Sequence, residues 1–223
     1  MLPSRSVAAT TRKKPGKREV KALETRSALF SAAATVVGKH GYEGASIARI
    51  TELAGVANGT FYNYFETRQD LFDQLLPAEG ERLLDYIREN VDRNASGVEL
   101  ERQRMASSFA FFAENPGFLR VLNEAEVYAP NAFREHVRKF ASVYEKGLRK
   151  QMENGELRSF SEAELKTIVY ILMGARSYLM MQASYSDETF DEEKASGFLS
   201  TYVKLLEGGL FAATGSKTDS SDN

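Results

Sequence analysis

From Thr25 onward the apolar positions recur at helical spacing. Leu29, Ala33, Val36 and Val37 fall on one face, and Gly41 closes the segment as a helix C-terminal glycine would. A second, short segment is predicted over Ser46 to Ala54, with Ser46 as N-cap and Ile47, Ile50 and Ala54 inward. Gly55 breaks it. A third runs from Asn58 to Tyr64, with Phe61 and Phe65 four residues apart. Thr67-Arg68-Gln69-Asp70 resembles a capping box with Asp in place of Glu, and the helix it opens turns Leu71, Phe72, Leu75 and Leu76 inward. Pro77 should kink or break that helix before it resumes over 81–91.

Further helical stretches are expected over 98–114, 117–128, 131–153, 161–184 and 189–212, punctuated by Asn115-Pro116-Gly117, Ala129-Pro130, Asn154-Gly155 and Ser186-Asp187. Alternating runs of strand character are missing. The expected fold is all-α: an N-terminal three-helix domain with a helix-turn-helix over 23–68, and a bundle of about six helices over 69–213. A flexible basic arm over 1–22 and a polar tail over 214–223 flank them.

Composition narrows the function. With 223 residues, 43% of them apolar, the chain can bury a real core. Cysteine is absent and His40 and His136 are the two imidazoles, so thiolate sites are excluded and a zinc site would need carboxylates. No apolar run approaches the roughly 20 residues of a spanning helix, and the basic N-terminus lacks the apolar stretch of a signal peptide. A soluble, cytoplasmic protein with no membrane partner is expected.

The net charge of −2 hides an asymmetry. Residues 1–68 carry 11 Lys and Arg against 5 Asp and Glu, and the remainder 18 against 26. A basic front on an acidic body points to a polyanionic partner for the front alone.

Two short helices joined by Gly55-Val56-Ala57 make a helix-turn-helix. Behind the third helix stand Phe61 and Phe65. Its other face offers Asn58, Thr60, Tyr62, Asn63 and Tyr64, all uncharged hydrogen-bonding groups, where a solvated face would carry Lys and Glu. Such a face suits a major groove.

The stretch from Arg26 to Leu71, RSALFSAAATVVGKHGYEGASIARITELAGVANGTFYNYFETRQDL, resembles the DNA-binding domain of the TetR family of regulators. The likeness is carried by Ala32-Ala33, Gly41-Tyr42, Ser46-Ile47, Ala54-Gly55-Val56, Gly59-Thr60, Tyr62, Phe65 and Arg68. It implies a homodimer binding double-stranded DNA at an inverted repeat, with half-sites about 34–36 Å apart or somewhat more. It further implies a small-molecule effector of unknown identity, no other cofactor, and repression.

Residue by residue, the resemblance implies that Ser46 and its helix N-terminus touch a phosphate. Thr60, Tyr62 and Tyr64 would bond phosphates and Arg68 would clamp another. Asn58, Asn63 and Arg49 are the candidates for base edges, and Gly59 allows close backbone approach. Phe61 and Phe65 are core. Three departures stand out: Ala57 replaces the usual Ser, Thr51 the usual Ala, and Glu66 puts an acid near the phosphate path. Arg12, Lys13, Lys14, Lys17 and Arg18 form either a DNA-contacting arm or a solvated tail.

The last two helices are rich in apolar residues. One carries Leu165, Ile168, Val169, Leu172, Met173, Leu179 and Met180; the other carries Phe190, Phe198, Tyr202, Leu205, Leu206 and Phe211. The surplus suits a dimer interface. From the family's pocket position, Phe109, Phe112, Leu122, Asn123, Tyr128, Phe140, Tyr144, Tyr170, Met173 and Arg176 are candidates to line an effector cavity. Of Glu124 and Glu126 at most one faces inward, and Arg176 pairs with a ligand carboxylate or with an acid across the interface.

The competing classes are an enzyme and a helical adaptor. No phosphate-binding glycine loop, Cys nucleophile or His-rich metal motif supports the first. His40, at the end of the first helix, reads as structural.

Overall fold

The computed structural model describes residues 16–157, 160–185 and 192–208, and among these every regular element is a helix. Nine helices follow in order: α1 (Lys17–Gly44), α2 (Ile47–Leu53), α3 (Asn58–Phe61), α4 (Arg68–Asn90), α5 (Gly97–Glu114), α6 (Phe118–Tyr128), α7 (Pro130–Glu153), α8 (Glu162–Tyr185) and α9 (Glu192–Gly208). Arg12, Lys13, Lys14, Phe190, Phe211 and the polar tail lie outside the described residues.

The predicted order of elements holds, with three corrections. The helix assigned to start at Thr25 begins at Lys17, so part of the expected arm is helical. Lys17-Arg18-Glu19 are good helix formers, and Glu19 sits in the first turn where the dipole favours an acid. Pro77 does not break α4, which runs through it from Arg68 to Asn90. The lost N–H bond is outweighed because residues on both sides bury one continuous face: Leu71, Leu75 and Leu76 before the proline, Leu83 and Leu84 after it. Finally, α3 ends at Phe61, and Tyr62–Tyr64 form a turn rather than a last helical turn.

Helix α1 breaks at Gly41, whose φ of 71° is the left-handed conformation glycine tolerates, and resumes for one turn to Gly44. Its core side chains Leu29, Ala33 and Val37 share one apolar cluster with Ile50, Phe61 and Phe65. Helix α1 also packs on α6 and α4, α4 on α5 and α7, α7 on α8, and α5 on α9. The α1–α6 crossing is close: a Cβ at Gly38 would collide with Gly117 Cα, and one at Gly117 would lie 2.7 Å from Ala34 O.

Candidate nucleic-acid interface

Ser46 caps α2, its Oγ accepting from the Arg49 N–H at 3.3 Å. The Arg49 guanidinium turns back to the Gly44 carbonyl at 2.7 Å while remaining exposed. The turn to α3 is built on Gly55, whose φ of 68° requires glycine. Thr51 is buried and ties the pair together, its hydroxyl reaching both the Ile47 carbonyl at 2.9 Å and Asn58 Oδ1. A hydroxyl carries one proton, so the two contacts are satisfied together when the Asn58 amide presents its NH₂ to Thr51. Thr51 therefore anchors the first residue of α3, where Ala57 as N-cap gives no side-chain bond.

Phe61 and Phe65 are fully buried beneath α3, with ring centroids 5.4 Å apart. Above them Asn58, Gly59, Tyr62 and Asn63 are exposed, while Thr60 and Tyr64 are half-buried. Tyr62 keeps 60% of its surface in solvent with its ring edge-on to Phe61. Gly59 has no internal reason to be glycine, because a Cβ there meets nothing within 4 Å and its φ is not positive.

Arg68 opens α4 and is exposed, donating to the Glu43 carbonyl at 3.4 Å and lying 5.4 Å from the Phe72 ring centroid. Thr67 caps α4: Thr67 Oγ accepts from Asp70 N–H at 3.0 Å, and Asp70 Oδ2 accepts at 3.0 Å from the N–H of Glu66, one residue before the cap. Asp70 also accepts from Gln74, which receives Arg26 of α1 at 2.5 Å. The start of α4 is thus fixed to α1.

Sequence reasoning missed the clamp between this head and the body. Glu124 of α6 accepts from Tyr42 N–H at 2.9 Å and from Arg120 Nε at 2.6 Å, and Arg120 donates to the Lys39 carbonyl at 3.2 Å. Tyr42 donates its hydroxyl to the Val121 carbonyl at 3.2 Å and stacks on Tyr128 at 5.6 Å. Gln69 of α4 reaches the Tyr128 carbonyl at 2.8 Å. The i, i+4 spacing of Arg120 and Glu124 was the available signal. Of the two acids weighed on α6, Glu124 turns inward, toward α1, while Glu126 is exposed.

The proposed effector-lining residues differ in burial. Phe109, Phe112 and Tyr144 are buried, Leu122, Phe140, Met173 and Arg176 half-buried, and Asn123, Tyr128 and Tyr170 exposed. Arg176 finds its acid within its own chain: Glu101 Oε2 lies 3.7 Å away, and the Tyr144 hydroxyl at 3.4 Å. Glu101, buried on α5, also meets Tyr144 and Arg104. Burial pushes the Tyr144 phenol well up. Glu79, equally buried on α4, is raised by burial against its ion pair with Arg82 at 2.7 Å.

Residues 29–75 match the sequence model of bacterial regulatory proteins, tetR family. A fatty acid metabolism regulator protein of Bacillus subtilis (strain 168) is 21% identical over 142 residues, which are 61% of this chain and 73% of that protein. The solved FadR from B. subtilis, in complex with stearoyl-CoA, superposes with a TM-score of 0.70 at 17% identity, over 83% of this chain and 99% of its own. FadR from Bacillus halodurans gives 0.72 at 23% identity, over 89% and 98%. Over its helix-turn-helix region the chain thus resembles the bacterial regulatory proteins of the tetR family, and over most of its length it has the fold of the solved FadR structures.

Proposed function

We propose that the chain is a dimeric transcriptional regulator that binds an inverted-repeat operator and leaves it when a small molecule occupies the body. The observation that carries this reading is the outer face of α3. It presents uncharged donors and acceptors around a glycine that internal packing does not need, over two buried phenylalanines. Ser46, Thr60, Tyr62, Tyr64 and Arg68 hold phosphates, and Arg49, Asn58 and Asn63 read bases. Arg49 must leave the Gly44 carbonyl to do so.

The dimer forms through α8 and α9, where Tyr170, Ile171, Tyr178 and Leu205 are large apolar residues left exposed. The domain boundary falls at the start of α4, a helix of 23 residues. At 1.5 Å per residue it spans about 34 Å, so one rigid element joins Arg68 to the far end of the body. A ligand that tilts α4 changes the spacing of the two heads, and its preference for the tilted state must be a few kcal/mol.

The likeness to regulators of fatty acid metabolism supports an acyl thioester as the effector. Its chain enters among Phe109, Phe112, Leu122, Phe140, Tyr144 and Met173. The protein acts by binding, without catalysis, in the cytoplasm. The test is selection from a random duplex library, followed by anisotropy titration of the enriched duplex over a range of salt. The expected result is an inverted repeat bound with affinity falling steeply as salt rises. An enzyme or an adaptor would select no sequence.

A further inference from the structure

A cleft of about 580 Å³ opens at the end of the body remote from the helix-turn-helix, between the last turn of α4, the start of α5 and the end of α7. Its size is that of a small-molecule site. Four cations line it, Arg88, Arg93, Arg104 and Lys150, against two acids, Asp92 and Glu156. Both acids are already engaged by donors of the chain. Glu156 accepts from Gly97 N–H at 2.7 Å and from the Asn154 amide at 3.0 Å, and Asp92 accepts from Asn94 N–H at 2.9 Å. Arg88 is held by Asp85 and Arg104 by Glu101. Arg93 and Lys150 have no ion pair among the described residues.

A second observation is independent of charge. Gln151 is 5% exposed, lines the cleft, and its Nε2 has no hydrogen-bond partner. A buried amide donor left unpaired is rare and marks a place for an acceptor. The 18-residue helix α5 begins at the same wall, and its N-cap Ser96 gives no side-chain cap. Donors converge on one space, where the cations outnumber the acids.

We infer that this cleft binds the phosphoryl groups of the effector, with Arg93, Lys150 and the Gln151 amide as the uncommitted donors. The inference rests on the regulator reading and adds the site of the anionic head. Arg104 connects the site to the interior. Its guanidinium borders the cleft and bonds Glu101 at 2.5 Å, and Glu101 is shared with Arg176 of α8. An anion that attracts Arg104 weakens its hold on Glu101 and shifts that carboxylate toward Arg176, on one of the helices proposed to form the dimer.

The test uses the full chain, with pyrophosphate and coenzyme A as calorimetric probes and stearoyl-CoA in the operator titration. Wild type is expected to bind both probes, coenzyme A more tightly. Arg93→Ala/Lys150→Ala should weaken both at least tenfold, and should need at least tenfold more stearoyl-CoA for operator release. Gln151→Leu should weaken probe binding without lowering the melting temperature, whereas a merely structural glutamine would lower it. The inference is overturned if neither probe binds, if the double variant binds as wild type does, or if it releases the operator at the wild-type concentration. Operator binding by the unliganded protein is read separately: its absence would sink the regulator reading, and its presence with no probe binding sinks only the cleft.

Discussion

The backbone N–H of Tyr42, just past the break in α1, donates to the Glu124 carboxylate of α6 at 2.9 Å. The break in α1 is thus held by a residue of α6, which in turn is held by Arg120 at 2.6 Å. Glu124→Ala leaves a half-buried N–H and a guanidinium without their acceptor, and should destabilise the fold by about 2 kcal/mol. It should also reduce the effect of ligand on operator affinity, because the clamp joins α1 to α6. Urea unfolding and anisotropy read the two effects. Wild-type stability in the variant would dismiss the clamp.

Gly59 and Gly55 separate packing from recognition. Gly55 holds a φ of 68°, so Gly55→Ala should cost about 1–2 kcal/mol and weaken operator binding only through folding. Gly59→Ala meets open space, so stability should hold or rise by up to about 1 kcal/mol. Operator affinity should nevertheless fall at least tenfold, since the methyl group stands between α3 and the duplex. Unchanged affinity would mean the backbone never approaches DNA there.

Local patterns were legible and long-range partners were not. Phe61 and Phe65 at i and i+4 are the buried anchors their spacing implied, and Thr67 with Asp70 is the capping pair the short motif implied. The Pro77 reading failed because a local rule met a helix held by burial along its whole length. Tyr128 illustrates the other limit: the sequence places it among the cavity-lining candidates, and the fold stacks it on Tyr42, 86 positions earlier in the chain. The sequence reading gives Arg176 a ligand carboxylate or an acid across the interface, whereas the acid beside it is Glu101 of its own chain, and nothing at position 101 of the sequence says that it will face Arg176 from another helix.

Arg68 and Asn63 are assigned different duties and should fail differently. Arg68→Ala removes a phosphate contact, so every duplex should lose affinity alike and the salt slope should fall by about one unit. Asn63→Ala should instead narrow the gap between operator and mutated operators. Equal loss on all sequences would remove Asn63 from base reading.

Ile171 is 63% exposed on α8, between Tyr170 and a glycine at 174 that also faces solvent. Ile171→Glu places a charge at the centre of the proposed interface, where an unpaired buried carboxylate costs several kcal/mol. Light scattering should then give the 24.9 kDa of one chain in place of twice that mass. Operator affinity should collapse, since a single head binds one half-site. A variant that remains dimeric at micromolar concentration would move the interface elsewhere.

His136 gives the fold an acid limit. The ring is buried on α7, stacked on Phe140 at 4.2 Å, and faces Gly80 of α4, where a Cβ would lie 2.6 Å from its Nδ1. Burial pushes its imidazole down to about 4, against a hydrogen bond to the Leu76 backbone and the charge of Glu81. Between its ordinary value near 6.5 and about 4, the unfolded chain binds a proton that the folded chain does not. Stability tied to this group is therefore full above about pH 6.5 and declines as pH falls through that window, by about 2 kcal/mol at pH 5 and about 3 kcal/mol once pH 4 is reached. His136→Leu fills a similar volume and cannot titrate. Urea unfolding at pH 7.5 and pH 5 should show wild type losing about 2 kcal/mol more than the variant. Parallel losses in the two proteins would place the acid sensitivity on carboxylates instead.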